Sequence, residues 1–72
     1  MDGLYDNPPK ICRKITGMSQ EEWGEFLGYS KDSVSDWERS KAIPPEPVFL
    51  KMVIAAKKPC FLVWYLSQYS PI

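Results

Sequence analysis

The side chains best equipped to act on another molecule gather between residues 30 and 41. Ser30, Lys31, Asp32, Ser33, Ser35, Asp36, Arg39 and Lys41 fall there, around only two apolar residues, Val34 and Trp37. Ammonium and guanidinium groups donate hydrogen bonds to anions, hydroxyls donate and accept, and carboxylates accept. That is a kit for reversible recognition. Covalent catalysis is a poor fit, because an activated nucleophile needs a base beside it. The chain has no histidine, and its serines fall at helix caps and on polar helix faces. The adjacent carboxylates Glu21 and Glu22 have a capping role. No CxxC pair or ligand cluster suggests a zinc site. The expectation is therefore a protein without enzymatic activity, cofactor or metal.

The elements that must hold this segment are helical. Pro8 and Pro9 suit the first turn of a helix, which carries Ile11, Cys12 and Ile15 on one face and ends at Gly17. Ser19 followed by Glu22 reads as a capping box. Met18 and Trp23 stand where a hydrophobic staple belongs. The second helix is expected to bury Trp23, Phe26 and Leu27 and to stop at Gly28. Ser30 is a good N-cap for a third helix over about residues 31–39, with Tyr29 and Val34 as a second staple. Val34 and Trp37, three apart, share its inner face.

Gly24 lies inside the second helix, where glycine costs about 1 kcal/mol relative to alanine. Close approach of the third helix explains it, and Gly28 permits a tight turn. Trp23, Leu27, Val34 and Trp37 would then fill the angle between the two helices. A near-perpendicular crossing leaves the outer face of the third helix free to enter a groove. A proline-rich connector follows. Fourth and fifth helices are expected over about 47–57 and 59–69. The spacing gives one all-α domain over residues 8–70, with the helix-turn-helix at about 19–39, after a flexible tail over residues 1–7.

These residues resemble the Cro/repressor (XRE-like) helix-turn-helix family. Gly17-Met18-Ser19-Gln20-Glu21-Glu22 looks like the family's opening, Leu27-Gly28-Tyr29-Ser30 like its turn, and Val34-Ser35-Asp36-Trp37-Glu38-Arg39 like its closing segment. The resemblance covers about residues 11–66. It implies a compact, four- to five-helix, lambda-repressor-like fold and a sequence-specific transcriptional regulator of phage or bacterial type. Gln20 matches a phosphate contact, and helix N-termini suit anions. Lys31, Asp32, Ser33 and Asp36 match positions that reach base edges in the major groove. Ser30, Ser35, Arg39 and Lys41 are the other phosphate candidates. Arg13 and Glu38 match a structural pair tying the first helix to the end of the third. Ser40 departs from the family's frequent glycine.

Charge speaks against part of this reading. The 72 residues carry nine basic and nine acidic side chains, whereas nucleic-acid-binding domains are usually basic. Relatives often have glutamine, arginine or asparagine where Asp32 and Asp36 stand. A carboxylate repels phosphate, and its productive base partner is the cytosine amino group. Lys31 is the one basic side chain well placed to read guanine. A protein-interaction module that keeps the fold without DNA binding, an adaptor or antirepressor, is the alternative.

The remaining features have bland explanations. The spacing of Trp23 and Trp37 makes them core, not a stacking platform. Lys57 and Lys58 complement a helix C-terminus. Cys12 and Cys60 read as buried or half-buried free thiols of a reducing cytosol. Residues 1–7 lack the basic start and apolar run of a signal peptide, and the apolar stretch over 48–66 is too interrupted to span a bilayer. The expected setting is the bacterial cytosol, on the nucleoid. Helices four and five are more apolar than so small a core requires. Phe61, Val63, Trp64, Tyr65 and Tyr69 either form a homodimer interface or complete the monomer core.

Overall fold

The computed structural model describes residues 6–69, with side chains through Ser67. Tyr69, an expected interface residue, has its side chain outside the described part. The described chain forms five helices and no strand: α1 (Pro8–Thr16), α2 (Gln20–Leu27), α3 (Lys31–Glu38), α4 (Glu46–Ala56) and α5 (Phe61–Tyr69).

Each early helix starts on a side-chain cap. Asn7 Oδ1 accepts from the Lys10 amide at 3.2 Å, with proline in the first turn behind it. Asn7, read from sequence as tail, is thus part of α1's frame. Its Nδ2 also donates to the Trp37 carbonyl at 2.8 Å, joining the start of α1 to the last turn of α3. Beside it, Asp6 pairs with Lys14 at 2.8 Å. Chiefly that hydrogen bond holds its carboxyl below the ordinary value. In α2 the capping box is reciprocal: Ser19 Oγ accepts from the Glu22 amide at 3.1 Å and Glu22 Oε1 from the Ser19 amide at 2.9 Å. Ser30 Oγ accepts from the Ser33 amide at 3.3 Å and starts α3.

α4 is the central element. It lies against α1, α2 and α5. Val48, Phe49, Met52, Val53 and Ala56, at helical spacing, are buried along one face, while Leu50 and Ile54 stay exposed on the other. Cys12, Trp23, Leu27, Val34, Trp37 and Tyr65 complete the core. Tyr65 stacks on Phe49 with ring centroids 4.6 Å apart and donates its hydroxyl to the Pro44 carbonyl at 2.7 Å. It therefore belongs to the monomer core and not to a subunit interface. Trp64 and Phe61 also pack on that core, half-buried. Val63 is the described interface candidate left in the open, at 74 % exposure.

Three further expectations change. Phe26 is exposed; it stacks on the outer side of Trp23 at 5.6 Å, with Lys51 over its own ring. Ile15 is exposed too, so Cys12 is the residue of α1's expected apolar face that is fully buried. Cys60 is exposed, while burial, with a smaller contribution from Cys60, pushes the Cys12 thiol up to about 11. Both thiols are free, and Cys60 is the one open to reagents.

Among the described residues, two that are not glycine sit in the left-handed region: Ser40 at φ 61° and Lys57, the C-cap of α4, at φ 58°. Such a conformation costs a residue with a Cβ about 1–2 kcal/mol. Lys57→Gly should stabilise the protein by about 0.5–1 kcal/mol after glycine's unfolded-state entropy is charged against it. For a domain of this size that is a rise of about 2–8 °C in Tm, read by thermal melting.

Candidate nucleic-acid interface

α2 and α3 meet at a three-residue turn built on two glycines with different tasks. Gly28 takes φ 86° and closes α2, donating its amide to the Gly24 carbonyl at 2.7 Å. The Tyr29 amide bonds the same carbonyl at 2.8 Å. Gly24 is buried beneath the turn, and a Cβ there would meet the Tyr29 carbonyl oxygen at 2.6 Å. The close approach expected from sequence exists, but the partner is the backbone of the turn rather than the body of α3. Tyr29, expected to staple Val34, packs edge-on against Trp37 at 5.1 Å.

Val34 and Trp37 bury one side of α3 in the core. With 3.6 residues per turn, Asp32, Ser35, Asp36 and Arg39 fall on the opposite side. Lys31, Asp32, Arg39 and Lys41 are exposed, and Ser33, Ser35 and Asp36 are half-buried. Among the described residues no ion pair ties down Asp32 or Asp36, and Asp36 and Arg39 do not pair with each other. Ser30 and Ser33 are partly committed to each other: Ser30 Oγ caps α3 and lies 3.4 Å from Ser33 Oγ. Lys31, Arg39 and Lys41 thus stand against two carboxylates, a local excess of one positive charge on a chain of zero net charge.

Gln20 occupies the first position of α2, where backbone amides have no helical acceptor. Its side chain reaches α3: Nε2 donates to Glu38 Oε1 at 3.1 Å. Glu38 in turn receives Arg13 through a bidentate fork, Nε to Oε2 at 2.6 Å and Nη2 to Oε1 at 3.1 Å. Arg13 Nη1 also donates to the Met18 carbonyl at 3.0 Å, just before α2 begins. The pair is nearly dry, with side-chain exposures of 17 % for Arg13 and 3 % for Glu38. Sequence reasoning placed Gln20 in one set and Arg13 with Glu38 in another; the structure makes them one cluster. It missed the bond from Asn7 to α3, for which an asparagine directly before two prolines was the available signal.

Away from this face, Leu50, Ile54, Val63 and Leu66 are exposed on α4 and α5. A groove of about 180 Å³ lies there, lined by Glu46, Phe49, Leu50, Leu62, Tyr65 and Leu66. No described helix is long and apolar enough to cross a membrane. No group of three or more potential metal ligands occurs among the described residues.

A capped helix pair at a tight turn, with the second helix showing a polar outer face, defines a helix-turn-helix domain. A helix-turn-helix family model matches residues 10–59, well over half of the chain. The protein belongs to the Cro/repressor (XRE-like) helix-turn-helix family, a family of DNA-binding regulators. No curated protein and no solved structure matches the chain.

Proposed function

We propose that the protein is a sequence-specific transcriptional regulator, a Cro-like repressor working in the bacterial cytosol on the nucleoid, that lays α3 in the major groove of double-stranded DNA. The observation that carries this reading is the division of α3: Val34 and Trp37 are buried, while the opposite side is polar, exposed at Asp32 and Arg39 and half-buried at Ser35 and Asp36. Lys31 reads a guanine edge. Asp32 and Asp36 accept from cytosine amino groups, and Ser33 contributes at the edge of the same face. Gln20, Ser30, Ser35, Arg39 and Lys41 hold phosphates.

The exposed Ile54, Val63 and Leu66, with Leu50, supply a self-association face. Two protomers joined there would read half-sites about 34 Å apart, one turn of DNA. Val63→Asp should leave the monomer folded and lower the sedimenting mass from dimer to monomer. An unchanged mass removes this face from consideration.

The DNA reading is tested with duplexes from around the protein's own gene at two salt concentrations. Tight binding to one segment should weaken steeply with salt through counterion release. Lys31→Ala should reduce the preference for that segment over others by about 10-fold, the worth of roughly 1–3 kcal/mol in one base contact. The unpaired Asp32 and Asp36 and the neutral chain favour a second reading, an adaptor or antirepressor built on the same fold. A folded protein that binds no duplex at low salt would establish the lack of DNA binding on which that reading depends.

A further inference from the structure

We propose that Glu38 is a positioning residue for the phosphate contact made by Gln20, an inference that rests on the DNA-binding reading above. A glutamine amide can present either its oxygen or its nitrogen to a neighbour, and only the nitrogen donates. An ionised carboxylate accepts and cannot donate, so Glu38 selects the nitrogen end, as the 3.1 Å contact from Nε2 records. That carboxylate cannot swing away. Arg13 grips both of its oxygens, and it is 3 % exposed. Gln20 Nε2 therefore spends one N–H on Glu38 and keeps its second. Gln20 is itself the first residue of α2, where backbone amides have no helical acceptor. The same residue thus offers a side-chain donor and a backbone donor to a phosphate, the first of them oriented before any DNA arrives.

The arrangement also spans elements. Arg13 belongs to α1, Gln20 to α2 and Glu38 to the last turn of α3. The phosphate donor is consequently fixed relative to α3 itself. A long side chain on a helix N-terminus would otherwise lose rotamer freedom on binding. The Arg13 fork neutralises Glu38, so the anchor brings no net negative charge toward the phosphate.

The test compares three proteins with the wild type: Gln20→Ala, Arg13→Met with Glu38→Leu, and the triple variant. Removing both ions together avoids stranding a buried charge, so the double variant should fold. Each should bind a preferred duplex and an unrelated one about 10-fold more weakly, the worth of a hydrogen bond to a charged group. Sequence preference should not change, and the triple variant should be no weaker than either parent. Losses that multiply in the triple variant, or a double variant that binds like wild type, overturn the proposal. A second measurement needs no variant. In the wild type, one Gln20 side-chain amide proton should shift on adding duplex while the proton bonded to Glu38 holds its place. If both stay fixed as DNA binds, Gln20 makes no contact and the proposal fails alone. If the wild type binds no duplex, the DNA reading falls and takes the positioning role with it.

Discussion

Gly24→Ala should destabilise the protein by about 1–2 kcal/mol net, even though alanine is the better helix former by about 1 kcal/mol. The new Cβ would lie 2.6 Å from the Tyr29 carbonyl oxygen and 3.4 Å from the Ser30 carbonyl. Overpacking of this kind costs about 1–3 kcal/mol when neighbours must shift. Here the neighbour is backbone, and it has little freedom. The amides of Gly28 and Tyr29 both bond the Gly24 carbonyl, so the turn is tied to the residue it would have to leave. Ser30 within it caps α3, so relief at Gly24 would move α3 as well. At roughly 4–8 °C per kcal/mol for a domain of this size, the melting temperature should fall by about 4–16 °C, measured by far-UV circular dichroism. Gly28 supplies the contrast. It needs its positive φ but has open space around it, so asparagine, which tolerates that conformation, should be accepted at position 28 and rejected at 24. A Gly24→Ala protein that melts with the wild type would mean that the turn yields freely.

The difference between these glycines marks what sequence can convey. Caps and turns are local. Ser19 with Glu22 and Ser30 before a polar run have their partners within three residues, so spacing alone specifies them. Val34 and Trp37 are legible because a helix so polar has few candidates for its inner face. Phe26 was misjudged because periodicity reports which side of a helix a residue takes, not how deep its neighbours reach. It covers the buried Trp23 ring from outside and shares its own face with Lys51. Tyr65 was left undecided for a related reason. An aromatic residue on an apolar helix suits an interface and a core equally, and what decides is the Pro44 carbonyl, 21 residues away, waiting for its hydroxyl. The positive φ of Ser40 and Lys57 left no trace in residue type, since neither residue favours it. Of the candidate site, the outward residues of α3 were readable from its period. The bond from Gln20 to Glu38 was not, because it depends on how α2 and α3 cross.

Arg13 and Glu38 should show opposite results for single and double substitution. Arg13→Met alone should cost about 3–5 kcal/mol, because it leaves a carboxylate that is nearly dry without its cation. Gln20 would remain as its neutral donor, which cannot replace a charge. Glu38→Leu alone should cost a similar amount, stranding a guanidinium that keeps only the Met18 carbonyl. On a domain of 72 residues, where total stability is about 5–15 kcal/mol at most and small domains lie near the floor, either single variant should be partly unfolded near body temperature. Together the two substitutions should cost less than either alone, because replacing both ions of a buried pair by apolar groups is often close to neutral. Chemical denaturation of all four proteins closes the cycle, and the coupling should be at least about 3 kcal/mol. The reason for that size is geometric. The fork is bidentate and joins α1 to α3, while the third donor of Arg13 holds the chain just ahead of α2. Additive losses would show instead that each side chain acts through packing of its own, as an arginine stem can. The pair would then have no privileged part in keeping three helices in register.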